Sequence, residues 1–101
     1  MKNHVITVTF KNDESKCDPP NVHVQTNDIV QWKCDDGDLE IEFQGETPFT
    51  STQVWRALRG HLTQAAVVKP GVPANTTLPR PTFRVNGTAA VRSLGDLLTH
   101  P

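Results

Sequence analysis

Asn27-Asp28-Ile29-Val30-Gln31-Trp32-Lys33-Cys34-Asp35-Asp36-Gly37-Asp38-Leu39-Glu40-Ile41-Glu42-Phe43 is the stretch that decides the fold class of this chain. Val30, Trp32 and Cys34 alternate with polar residues, and Leu39, Ile41 and Phe43 then alternate with Glu40 and Glu42. A period of two puts one face of a strand in a core and the other in water. The stretch therefore predicts two adjacent antiparallel strands, joined by a tight turn in which Asp36-Gly37 supplies the positive φ angles.

Outward from there the chain continues in short runs separated by turn residues. Toward the N-terminus, Ile6, Val8 and Phe10 share one face of a first strand over 4–10, and Val22 to Thr26 reads as a second. Between them, Lys11 to Asn21 is polar and ends in Pro19-Pro20, which cannot donate to a ladder, so it is expected to be an extended loop. Toward the C-terminus, Thr50 or Ser51 could cap a short helical turn within 51–59, ended by Gly60; an irregular loop is the competing reading. Ala65 to Lys69 is a strand candidate, and the proline-rich stretch from Pro70 to Pro81 is an irregular connection. Thr82 to Asn86 is a further strand, turned by Asn86-Gly87 into Ala89 to Arg92. Leu94 to Leu98 could be a strand or a short helix capped by Ser93. Some seven short strands in 101 residues predict one all-β domain over 1–101, an antiparallel Greek-key β-sandwich.

Charge is unevenly placed. Residues 1–50 carry four Lys/Arg against ten Asp/Glu, and residues 51–101 six against one, so −6 faces +5. Halves of a sandwich interleave in space, so internal complementarity between neighbouring strands is the first reading and an oppositely charged docking face the second. Arg56, Arg59, Arg80, Arg84 and Arg92 are scattered without an aromatic motif, which speaks against nucleic-acid binding. No apolar run approaches the ~18 residues a membrane span needs. No signal-peptide core precedes the first strand, leaving cytoplasmic and matured exported forms both open.

Cys17 and Cys34 are the only cysteines. A bond between them would close a loop worth roughly 3 kcal/mol and imply a periplasmic or secreted protein. That pairing is the expectation taken, with two thiols as the alternative.

The order Asn27-Asp28-x-Val30-x-Trp32, then Leu39-Glu40-Ile41-Glu42-Phe43, Pro48-Phe49 and Phe83-Arg84-Val85-Asn86-Gly87 resembles the cupredoxin-like sandwich over residues 5–92. The resemblance is to small bacterial plastocyanin-like domains of unknown function. In copper-binding members a His stands in the strand after the first hairpin, and Cys, His and usually Met gather around a late loop. Here the first position reads Asp38-Leu39-Glu40, Phe83 to Val91 holds none of the three, and Met1 is the sole methionine. The resemblance thus implies the architecture without the blue-copper ligands, and no cofactor.

Among remaining candidates, His4, His23, His61 and His100 are not spaced as ligand pairs, and His61 beside Gly60 is the one considered for a pocket. Asp35, Asp36, Asp38, Glu40 and Glu42 lack the spacing that wraps Ca²⁺ and read first as a solvated face. Asn75-Thr76-Thr77 and Asn86-Gly87-Thr88 match the short glycosylation pattern. Trp55 near Arg56 and Arg59 could be an exposed recognition surface or the apolar side of a closing turn, with packing ranked ahead. No nucleophile–base pair points to an enzyme. The expectation is a non-enzymatic, metal-free binding or accessory domain whose partner is another protein. Its candidate surface is Phe49, Trp55, Arg56, Arg59 and His61 beside the acidic segment. The alternative is a copper- or calcium-handling protein with an atypical site.

Overall fold

A computed structural model describes residues 2–12, 14–43, 49–50, 54–71, 81–89 and 92–99. Among these residues nine strands appear in chain order: β1 (Asn3–Lys11), β2 (Glu14–Val24), β3 (Ile29–Cys34), β4 (Leu39–Glu42), β5 (Trp55–Ala57), β6 (Ala66–Val67), β7 (Thr82–Val85), β8 (Thr88–Ala89) and β9 (Arg92–Thr99). They form two sheets, ordered β6-β3-β1-β2-β9 and β5-β4-β7-β8. The all-β sandwich expected from the alternation is what the chain forms. The smaller sheet is antiparallel throughout. The larger one is mixed, because β3 runs parallel to β1 and β9 parallel to β2.

The deciding stretch is not a hairpin. β3 and β4 belong to different sheets, and Gly37 is not among the glycines with positive φ. Asp35 to Asp38 crosses from one layer to the other, a gap of about 10 Å that four residues can span. Alternation reports which face of each strand is buried; it says nothing about whether two strands pair edge to edge or face each other. Val30, Trp32 and Cys34 from β3 and Leu39 and Ile41 from β4 are all buried, meeting across the interlayer core.

At the centre of that core four rings touch one another in every combination. Trp32, Phe43, Phe49 and Trp55 have centroids 5.3 to 6.3 Å apart, mostly edge to face, the geometry aromatic quadrupoles favour. Ile6 and Val8 of β1, Val22 and Val24 of β2, and Phe83 and Val85 of β7 extend it to both sides.

Two further expectations change, and the choice left open for the last segment is decided. The loop foreseen over Lys11 to Asn21 is largely strand, because β2 begins at Glu14. Its prolines sit where pairing lapses: β1 pairs β2 only as far as Asp18, and the β2–β9 register shifts between Lys16 and Asn21. Missing N–H groups are tolerated at such an interruption. The helical turn considered for 51–59 is instead strand β5 over 55–57, with residues 51–53 outside the described set. Packing of Trp55 into the core overrides a propensity too weak to hold one isolated turn. Residues 92–99 are strand rather than helix. The Asn86-Gly87 turn is as expected, with φ of 51° and 83° between Val85 and Thr88.

The disulfide is not formed; both cysteines are thiols. Val8 of β1 is the register partner of Cys17 on one side and of Cys34 on the other. The two cysteines are therefore two strand spacings apart, about 9–10 Å, beyond the ~7 Å that a disulfide can bridge. The argument for an oxidising compartment goes with it.

Candidate functional site

Three segments converge at one end of the sandwich: the crossing Asp35–Asp38, the loop after β5, and the Asn86-Gly87 turn. Asn86 N donates to Asp38 O at 2.9 Å, and Asp38 N donates to Asn86 Oδ1 at 2.9 Å. This reciprocal pair ties the late hairpin to the start of β4. It also accounts for Gly37, which is buried: a β-carbon there would lie 2.7 Å from Asn86 Cγ. Arg59 pins the third segment, its N donating to Asp38 Oδ1 at 3.0 Å and its Nε to Asp35 O at 2.8 Å. Phe10 N donates to Asp36 Oδ2 at 2.8 Å, bringing in the end of β1.

From Gly60 onward the chain runs back along the side of β3 away from β1 and leads into β6. Gly60 N donates to Cys34 O, and Thr63 N to Trp32 O, each at 2.9 Å. The buried Thr63 hydroxyl in turn accepts from Trp32 N at 3.1 Å. Anchored at both ends, residues 58–62 hold their side chains outward. Leu58 is 69% exposed and Leu62 46%, unusual for leucine, with Arg59 and His61 exposed between them. A cleft of about 380 Å³ opens alongside, lined by Asp38, Glu40, Arg56, Leu58, Asn86 and Gly87 among others.

The five residues singled out from sequence therefore separate. Arg56, Arg59 and His61 are exposed on this end. Phe49 and Trp55 are 3% and 0% exposed and belong to the aromatic core, so neither offers a recognition surface. Leu58 and Leu62 take their place, and only their lack of a strand partner pattern could have signalled it.

On the outer face of the smaller sheet, Glu40 stands between Arg56 of β5 and Arg84 of β7 in register. Arg84 Nη1 lies 3.5 Å from Glu40 Oε1 and 3.2 Å from Glu42 Oε2, and Arg56 Nε lies 3.6 Å from Glu40 Oε2. The acidic and basic halves of the sequence are thus interleaved on neighbouring strands, in line with the complementarity reading.

A second cluster went unread in the sequence. Asp28, 3% exposed, accepts from Lys2 N (3.0 Å) and Gln25 N (2.9 Å) and pairs with His4 Nε2 (2.9 Å). Burial acts to raise its pKa, but the bonds from His4, Gln25 and Lys2 outweigh it and hold the carboxyl below its ordinary 3.8. Burial pushes the Cys34 thiol up, so this side chain stays protonated in the core. Among the described residues no three His, Cys, Asp or Glu side chains are gathered as a metal site would require, and no helix is long and apolar enough to cross a membrane.

No family model matches the chain, and no curated protein matches it. Among solved structures, a chain of a heme-copper terminal oxidase dimer superposes with a TM-score of 0.54 at 8% identity, covering 98% of this chain and 65% of that one. A reduced amicyanin mutant superposes with a TM-score of 0.53 at 13% identity, covering 95% of this chain and 82% of that one. The fold is cupredoxin-like. At these identities the likeness is one of fold alone, and the cupredoxin-like chain spans just under two thirds of the oxidase chain's length. Within this fold the start of β4 and the β7–β8 turn are joined by the Asp38–Asn86 pair.

Proposed function

We propose that this chain is a non-enzymatic, metal-free binding or accessory module that engages another protein through the end carrying Arg56, Leu58, Arg59, His61 and Leu62. The observation behind this reading is the character of that end. A blue-copper centre needs a thiolate and imidazoles converging on one point. The polar groups that converge here are already engaged: Arg59 Nε donates to the Asp35 carbonyl, the Asp38 carboxylate accepts from Arg59 N, and the Asn86 amide oxygen accepts from Asp38 N. Cys34 lies beneath them, but buried and with a raised pKa it is poorly suited to act as a thiolate ligand. Beside this closed end, two exposed leucines flanked by two arginines and a histidine have the composition of a recognition patch. Nucleic acid and membrane insertion form no part of the proposal.

Two experiments test it. Calorimetric titration with Cu²⁺ and with Ca²⁺ is expected to give no stoichiometric binding; a complex tighter than micromolar would reinstate the metal-handling alternative. Leu58→Asp/Leu62→Asp, which alters only exposed side chains, is expected to keep the wild-type melting temperature and to lose a cross-linked partner that the wild type retains. Equal retention by both forms would remove this surface from consideration.

A further inference from the structure

The four sheet edges are unequal. β5 has three residues and β8 two. β6 has two, and Thr50 N donates to Val67 O while Phe49 bridges to Val68 on its far side. β9 has eight, Arg92–Thr99, and among the described residues it pairs only with β2. The register irregularity beside it belongs to β2, where residues 17–20 stand against Gly95 alone, so β9 runs on unbroken. Its sequence RSLGDLLT contains no proline and no lysine, and its two charges, Arg92 and Asp96, are of opposite sign, so they disfavour some partner registers and not others. A strand bonded on one side leaves alternate N–H and C=O groups directed outward, a template for one more strand.

The charges on this strand say which strand fits. Arg92 and Asp96 lie two residues before and two after Leu94. In an antiparallel pairing of two β9 strands about Leu94, Arg92 falls opposite Asp96 twice, Ser93 opposite Gly95, and Leu94 opposite itself. Centring on Arg92 or on Asp96 would instead set like charges face to face, which is unfavourable. We propose that the outer edge of β9 pairs antiparallel with β9 of a second copy of this chain, about a two-fold axis at Leu94. Two five-stranded sheets then become one continuous sheet, and the interface is isologous, as closed dimers require.

Sedimentation velocity over a wide concentration range tests this. The wild type is expected to dimerise, and Asp96→Arg, which opposes Arg92 of the other copy, to weaken self-association roughly tenfold. Arg92→Glu is expected to do the same. Mixing these two variants restores both opposite-sign pairs and is expected to give a heterodimer of wild-type affinity. Arg92 is also the register partner of Glu14, so circular dichroism and melting verify the fold of that variant; Asp96 stands beside Asn21, and Asp96→Arg carries the test alone if Arg92→Glu unfolds. A wild type that stays monomeric throughout, leaving the edge to a different partner, overturns the proposal. So does a dimer indifferent to Asp96→Arg, or a mixture of two folded variants that fails to associate.

Discussion

Removing the Asp28 carboxylate tests how far one buried side chain organises the larger sheet. Asp28 sits between β2 and β3 and holds three donors at once: the backbone of Lys2 at the entry to β1, the backbone of Gln25, and the His4 ring. Its own main chain extends the network, since Val68 N donates to Asp28 O and Asp28 N to Gln25 O. Asp28→Ala strips all three donors of their acceptor. A fully buried donor left unpaired costs about 1–3 kcal/mol, but Lys2 and Gln25 are exposed and water can reach their amides. A loss of about 3 kcal/mol is therefore expected, the lower end for breaking a buried charged contact. Asp28→Asn keeps one acceptor oxygen. Turned to serve His4 and Gln25, its NH₂ faces Lys2 N–H, donor against donor, and about 2 kcal/mol is expected. For a domain of this size those losses lower the melting temperature by roughly 10–20 °C, at about 4–8 °C per kcal/mol.

The pH dependence separates this account from a mere packing defect. The folded-state pKa of Asp28 is lowered, so its contribution is fully present above the ordinary carboxylate pKa and is lost as pH falls through the folded value. Protonated Asp28 resembles Asn in its bonding capacity. The stability gap between wild type and Asp28→Asn, read from urea unfolding at a series of pH values, is expected to be full at neutral pH and to close in acid. A gap that is the same at both ends of the series, or absent at neutral pH, would show that the carboxylate is not what holds these segments.

Gly37→Ala is expected to cost about 1–3 kcal/mol through the clash with Asn86, and much less in an Asn86→Gly background; equal costs in both backgrounds by chemical denaturation would refute that contact. Trp55 Nε1 is buried without a hydrogen-bond partner among the described residues, so Trp55→Phe is expected to cost under about 1.5 kcal/mol, the lost area being offset by removal of the unsatisfied donor, whereas Trp55→Ala costs about 3–5 kcal/mol. Comparable losses from the two substitutions would contradict this. Non-reducing mass measurement is expected to show both cysteines as thiols, and reductant is expected to leave the melting curve unchanged; a mass two hydrogens lighter would mean that the strand order between Cys17 and Cys34 is wrong.

What could be read from the sequence follows from the physics each pattern encodes. Inward positions were legible because burial leaves an alternating trace, and Val30, Trp32, Leu39, Ile41 and Phe43 are all buried. Sheet membership was not, because a hairpin and a crossing between layers leave the same trace; the acidic Asp35–Asp38 reads as a turn in either case. Asn86-Gly87 was legible as a turn since its positive φ angles demand those residue types. Its second role, the bonds to Asp38, depends on a partner 48 positions away that no local pattern announces. Asp28 was hidden for the opposite reason: beside Asn27 it looked like an ordinary turn residue, and only the long-range return of Lys2 and His4 makes it a hub. Trp55 was caught between two composition rules, hot-spot aromatic and core aromatic, that only tertiary packing could separate.

The converging end of the sandwich shows why a cupredoxin-like fold can stand on such different residues. Wherever the crossing segment, the loop after β5 and the late turn meet, several backbone groups leave their ladders together and must find partners or water. A bound ion held by side chains from those segments is one way to tie them. Here Asp38, Asn86 and Arg59 tie them with side-chain-to-backbone bonds, each crossing from one segment to another. The adjoining core contributes the rest, since the four-ring cluster spans both layers and draws Phe49 in with β3 and β5. If that division of labour is right, weakening the end and weakening the rings should fail differently. Asn86→Gly should loosen the late turn locally, with faster amide exchange around Asp38 and little change in global stability, because hydrogen bonds at an exposed end open independently of the core. Trp55→Ala should lower global stability while leaving the exchange pattern at the end in proportion. Global unfolding on loss of Asn86 alone would mean that the end, not the aromatic centre, holds the two sheets together.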